Sequence, residues 1–138
     1  MERRRLSNPK DALTFIKGGN SRFTIVSPKT GARFTYRVKK PSEDRDFFFV
    51  SLLSGANNET DYTYMGVIAD NQFKLTGKSK VGKDAPSYKA FDFTLRHLLH
   101  NDLPVEFWHE GTCCRCGRTL TVPESIERGI GPECVKHM

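Results

Sequence analysis

Arg22-Phe23-Thr24-Ile25-Val26, then Ser27-Pro28-Lys29-Thr30-Gly31, then Arg33-Phe34-Thr35-Tyr36-Arg37-Val38-Lys39 decides the fold. Two runs of β-branched and aromatic residues flank a loop that holds Pro and Gly, which is the pattern of a β-hairpin. Side chains alternate along a strand, so in the second run Phe34, Tyr36 and Val38 share one face. Arg33, Thr35, Arg37 and Lys39 share the other. One face is suited to a core, and the opposite face is strongly basic.

Working outward, Asn8-Pro9-Lys10-Asp11 opens a helix with Pro at its first position, and Gly18-Gly19 closes it after about two turns. After the hairpin, Phe47-Phe48-Phe49-Val50-Ser51-Leu52-Leu53 is nearly continuous apolar sequence. That predicts a strand covered on both faces at the centre of the sheet. Asn57 to Asp61 reads as a loop, Tyr62 to Ile68 as a strand, Asp70-Asn71 as a turn and Phe73 to Leu75 as a short strand. Lys74 to Asp84 is rich in Gly and Lys, has no periodicity and reads as a mobile basic loop. Between Pro86 and His100, Tyr88, Phe91, Leu95, Leu98 and Leu99 recur at helical spacing and predict one amphipathic helix packed on the sheet. Asn101, Asp102 and Pro104 end it, and Val105 to Trp108 reads as a last strand. The fold class is therefore α+β. An antiparallel sheet with one main packed helix and a short N-terminal helix spans residues 1–104, and a module of the zinc-knuckle or treble-clef-like type spans 105–138.

The tail carries the clearest chemistry. Cys113 and Cys116 form a C-x2-C pair, Cys134 and His137 form a C-x2-H pair, and 17 residues lie between them. This is the paired-ligand spacing of structural zinc. Gly117 suits the tight turn after Cys116. Thr121-Val122-Pro123-Glu124 reads as a capping box, Gly129 as the helix stop, and Pro132 as the start of a turn that projects Cys134 and His137 together. On spacing the fourth ligand is His137; His109, four residues before Cys113, also stands within reach. Cys114 points away from its neighbours in an extended knuckle. Four protein ligands leave no open position for water or substrate, so the expected Zn2+ is structural.

The chain has 138 residues, 37% hydrophobic and 28% charged, as in an ordinary globular protein with a real core. Met1-Glu2-Arg3-Arg4-Arg5 is followed by no apolar run, and no stretch approaches the roughly 18 residues of a membrane span. A cytoplasmic location, with thiols held by metal, is expected. The net charge of +6 is unevenly placed: residues 1–40 hold 11 Lys/Arg against 2 acids, and residues 74–100 hold 6 against 2. Clustered cations of this kind suit nucleic acid or an acidic protein partner.

Two constellations point the same way. Arg22, Arg33, Arg37 and Lys39, with the Arg3-Arg4-Arg5 tail and a loop bearing Lys78, Lys80 and Lys83, can track phosphates without sequence preference. Phe34, Tyr36, Tyr62 and Tyr64 would stack bases if they faced solvent, although their alternation with polar residues assigns them to the core. Other motifs carry nothing. Thr76-Gly77-Lys78-Ser79 imitates the end of a phosphate loop, but Gln72 stands where the first Gly is required. His97 and His100 read as exposed residues near a helix C-terminus. No nucleophile with an adjacent base can be picked out, so an enzyme is not expected.

From Cys113-Cys114-Arg115-Cys116-Gly117-Arg118-Thr119-Leu120-Thr121 to Gly129-Ile130-Gly131-Pro132-Glu133-Cys134, the chain resembles an uncharacterised zinc-binding family common among small bacteriophage proteins. The resemblance covers roughly residues 107–134. It implies a phage or prophage origin, hence a host bacterial cytoplasm, and Cys113, Cys116 and Cys134 as ligands; it supplies no activity. The expected function is a non-enzymatic, zinc-stabilised accessory protein that binds nucleic acid through its basic sheet face and loop. The alternative, suggested by phage origin, small size and the lack of catalytic groups, is a protein-binding inhibitor of a host antiviral defence complex, anti-CRISPR-like in role.

Overall fold

The computed structural model describes residues 4–42, 45–56, 60–109 and 113–115. In chain order its elements are β1 (Arg4–Leu6), α1 (Pro9–Ile16), β2 (Asn20–Val26), β3 (Arg33–Lys39), β4 (Phe47–Leu53), β5 (Tyr62–Ala69), β6 (Gln72–Lys74), α2 (Pro86–Leu99) and β7 (Glu106–His109). The strands form one sheet in the order β1-β7-β2-β3-β4-β5-β6, and every pairing is antiparallel. The molecule is thus α+β. Strand β7, which enters the region expected to bind zinc, lies within the sheet between β1 and β2.

Local chemistry explains the element boundaries. The Asn8 side chain accepts from Lys10 N at 2.8 Å and Asp11 N at 3.4 Å, so α1 starts on a capped end with Pro9 in its first turn. The β2–β3 hairpin closes through Ser27 N to Ala32 O at 2.8 Å and Gly31 N to Ser27 O at 2.9 Å. Asp70 and Asn71 both adopt positive φ, the tight turn that lets β6 fold back on β5. A register shift between Val50 and Ser51 bulges the β4–β5 pair. Beside it sits Gly66, where a Cβ would fall 2.3 Å from the Lys74 carbonyl oxygen. No side chain fits between β5 and β6 at that point.

Both helices lie on one face of the sheet. Phe23 of β2 joins the layers: its ring centroid is 4.7 Å from Phe107 of β7, 6.3 Å from Phe15 of α1 and 6.3 Å from Phe91 of α2. Tyr36 is fully buried, meets Phe91 edge-on at 5.0 Å, and donates its hydroxyl to Ser87 O at 2.7 Å. Burial pushes its phenol well above the usual tyrosine range. Phe73 stacks on Tyr88 at 4.7 Å and closes the far end of the core. Among the described residues no helix is long and apolar enough to cross a membrane.

Several expectations are corrected. Phe47–Leu53 is covered on one face and not on two: Phe48 and Val50 are buried, while Phe49 is 39% exposed. The run is neither central nor double-sided, because β3 is the middle strand. Arg4 and Arg5 belong to an edge strand paired with β7, not to a tail, and Leu6 is buried there. The stretch expected to be a mobile loop is anchored: Lys80 N donates to Tyr64 O at 2.9 Å and Thr76 N to Ser79 Oγ at 2.8 Å.

Candidate nucleic-acid interface

The face that the helices leave open is built by strand alternation. Because Phe23, Tyr36, Val38 and Val50 point into the core, their neighbours along each strand point the other way. Register then sets who stands beside whom. Arg22 is directly across from Arg37, Lys39 from Phe49, Ser51 from Tyr64, and Leu53 from Tyr62. Towards the other edge Thr24 faces Thr35 and Trp108, and Trp108 faces Arg5. From β7 to β5 this surface is about 19 Å wide, four inter-strand steps.

Its geometry interleaves cations and rings. The Arg37 guanidinium lies 4.5 Å above the Tyr62 ring centroid, a cation–π arrangement that holds the side chain over the sheet. Phe49 meets Phe47 edge-on at 5.4 Å and Tyr64 at 6.0 Å, giving a row of three rings along β4 and β5. The Tyr64 hydroxyl is 3.1 Å from Thr76 Oγ1, which ties this row to the lysine loop. Arginines placed directly opposite each other on one sheet face repel. Arg22 and Arg37 form one such directly opposed pair on the open face.

The described basic residues of the predicted sheet face and loop all reach the surface. Arg33 and Lys39 are exposed, Arg22 and Arg37 half-buried on the open face, and Lys78, Lys80 and Lys83 exposed in the loop. The predicted aromatic set divides. Tyr36 is core and Phe34 is packed against it, whereas Tyr62 and Tyr64 stand on the open face, which corrects their assignment to the core. Sequence reasoning missed Phe47, Phe49 and Trp108. The signal was there for Phe49: it sits one residue out of phase with Phe48 and Val50, on the side of β4 that pairs beside Lys39.

The cysteine turn lies at the other side of the core. His109 is fully buried on the helix-covered face, stacked on Phe15 at 5.2 Å. Cys113 and Cys114 are buried, and Arg115 N donates to Cys113 Sγ at 3.4 Å, as in a tight turn that presents a sulfur. Asn20 N donates to Cys114 O at 2.8 Å, docking the turn on the start of β2. Among the described residues no three His, Cys, Asp or Glu side chains converge as a metal site. Cys116, Cys134 and His137 lie outside the described residues. His97 pairs instead with Asp102 at 2.8 Å at the end of α2.

Residues 106–138 match a family model described as a family of unknown function (DUF6011), from the first residue of β7 through all four of the expected cysteine and histidine ligands near the C-terminus. No curated protein and no solved structure matches the chain.

Proposed function

We propose that this protein is a non-enzymatic binder of single-stranded nucleic acid, which it holds on the open sheet face. The observation that carries the reading is the interleaving of rings and cations on one surface, with Arg37 over Tyr62 and Lys39 across from Phe49. A row of part-exposed rings offers stacking partners to unpaired bases, and each stacked base contributes about 1–3 kcal/mol. Arginine and lysine between the rings engage phosphates regardless of sequence, and binding falls steeply with salt. In this reading these groups bind and orient the strand. Lys78 and Lys80 extend the basic border beyond Tyr64, through the loop that Lys80 N ties to β5.

The reading includes a structural Zn2+ held by Cys113, Cys116, Cys134 and either His137 or His109. What supports it is the ligand spacing together with the buried Cys113 sulfur, which accepts the Arg115 backbone N–H from the turn that follows it. Zinc would supply folding energy to the tail and no chemistry. Elemental analysis should find one zinc per chain, lost in Cys116→Ser; a variant with full zinc would refute the ligand set.

The binding test is fluorescence anisotropy with a labelled single strand. Arg33→Glu with Arg37→Glu should abolish salt-sensitive binding while leaving the melting temperature nearly unchanged. Undiminished binding sinks the proposal. Absence of oligonucleotide binding, with a host protein complex retained after nuclease digestion, would make the same face a protein-docking surface.

A further inference from the structure

Among the described residues the sheet ends at β6, at the edge opposite β1. Asp70 and Asn71, at φ 52° and 60°, lie between the paired residues Ala69 and Gln72, which makes the β5–β6 connection a two-residue hairpin of type I′. In such a hairpin the pair that closes the loop exchanges both of its backbone hydrogen bonds, and the next pair exchanges none. That next pair is Ile68 and Phe73. The Phe73 N–H and C=O therefore point away from β5, outward from the sheet edge, while its ring turns inward onto Tyr88. Together they offer the donor and acceptor that one residue of an added strand would use.

Beside this edge a hollow of about 600 Å3 lies between the β6 hairpin and α2. Its apolar lining is Phe73 and Leu95, both buried, and Leu99, which is 37% exposed. The charges around it are balanced. On α2, Asp92 and Arg96 pair at 3.0 Å. At the hairpin the Lys17 ammonium donates to Asn71 and lines a neighbouring hollow with Asp70. A lining of this kind suits an uncharged apolar group. Alternation would send every second side chain of a strand added at β6 to the face that α2 covers, which is the side on which Leu95 and Leu99 lie. We propose that the groove between β6 and α2 docks an extended peptide segment of a partner protein. The segment adds to the sheet as a further edge strand through the Phe73 N–H and C=O, and it places one uncharged apolar side chain beside Leu99. The groove is separate from the open face, and the proposal does not rest on the nucleic-acid reading.

The test titrates blocked hexapeptides, in which threonine alternates with leucine, valine or phenylalanine, into the isotope-labelled full chain and follows amide shifts and amide hydrogen exchange. At least one of the peptides should bind, shift the Phe73 amide and slow its exchange. Methylating the peptide backbone nitrogens should weaken that binding about tenfold, because the hydrogen bonds to the edge are lost. Aspartate in place of the apolar residues should weaken it by about as much. Leu99→Asp should also lower affinity about tenfold, and Leu99→Ala serves as the milder variant should the first fold poorly. Binding of none of the peptides overturns the proposal, as does binding indifferent to backbone methylation and to both Leu99 variants. Shifts confined to the open face around Phe49 also overturn it. Sedimentation as a dimer in which the Phe73 amide is already protected would give the groove to a second copy of the chain and reject the peptide.

Discussion

The two faces of the sheet are made from the same strands, yet they obey different rules. On β3, Tyr36 and Val38 are completely buried, while Arg37 between them reaches over Tyr62 on the opposite side. On the covered face Phe15, Phe23, Tyr36, Phe73, Phe91 and Phe107 each meet a partner ring, and the layer closes on α1 and α2. The open face keeps Phe49 at 39% exposure, with Phe47, Tyr62 and Tyr64 around it. A protein that needed only stability would have polar residues there, because rings left in water contribute little to folding. Burial accounts for the first face, and for the second the proposed account is recognition.

The contrast can be broken from the covered side first. Phe23→Ala removes the ring shared by Phe15, Phe91 and Phe107 and should cost about 3–5 kcal/mol in denaturant unfolding; a loss below 1 kcal/mol would mean the layers do not depend on it. Gly66→Ala should cost about 1–3 kcal/mol, since its methyl would overlap the Lys74 carbonyl and β6 would have to shift. Tyr36→Phe should cost about 1 kcal/mol at neutral pH through the lost bond to Ser87 O. Its pH signature is also defined. The folded phenol titrates above the unfolded value of about 10, so its contribution is complete below that pH and is lost as pH rises through the folded value. Tyr36→Phe should therefore flatten part of the alkaline decline in stability, and an unchanged slope would remove Tyr36 from that account.

Phe49→Ala sharpens the comparison from the other side. Its stability cost should be the smallest of the four, below about 1 kcal/mol. Its affinity for single strands should drop about tenfold, as expected for one lost stacking contact. A large stability loss with unchanged affinity would place Phe49 in the core economy instead.

How much was legible in the sequence follows from how local each signal is. The β2–β3 hairpin, α1 and α2 were readable because alternation, capping at Asn8 and the helical spacing of Tyr88, Phe91, Leu95 and Leu98 are each written within a few residues. The basic face came with the alternation of β3. Strand β1 was not readable, since a three-residue edge strand carries no period and its partner β7 lies about a hundred residues away. Phe47–Leu53 misled for a related reason: an unbroken apolar run shows that a strand wants cover, and does not show whether a second layer exists. Alternation puts Phe49 on the side opposite Phe48 and Val50, and the pairing of β4 beside Lys39 and Tyr64 shows that this is the open side. The Cys and His spacing of the tail is written in the sequence, and of its members only Cys113 and His109 are among the described residues.

The most direct measurement is competition between a single strand and a duplex of the same sequence for the wild-type protein at fixed salt. Stacking on the open face predicts that the single strand displaces a bound probe at a concentration at least about tenfold lower than the duplex. Equal or tighter duplex binding would contradict the account, because a duplex offers phosphates to the arginines while keeping its base faces away from Phe49, Tyr62 and Tyr64.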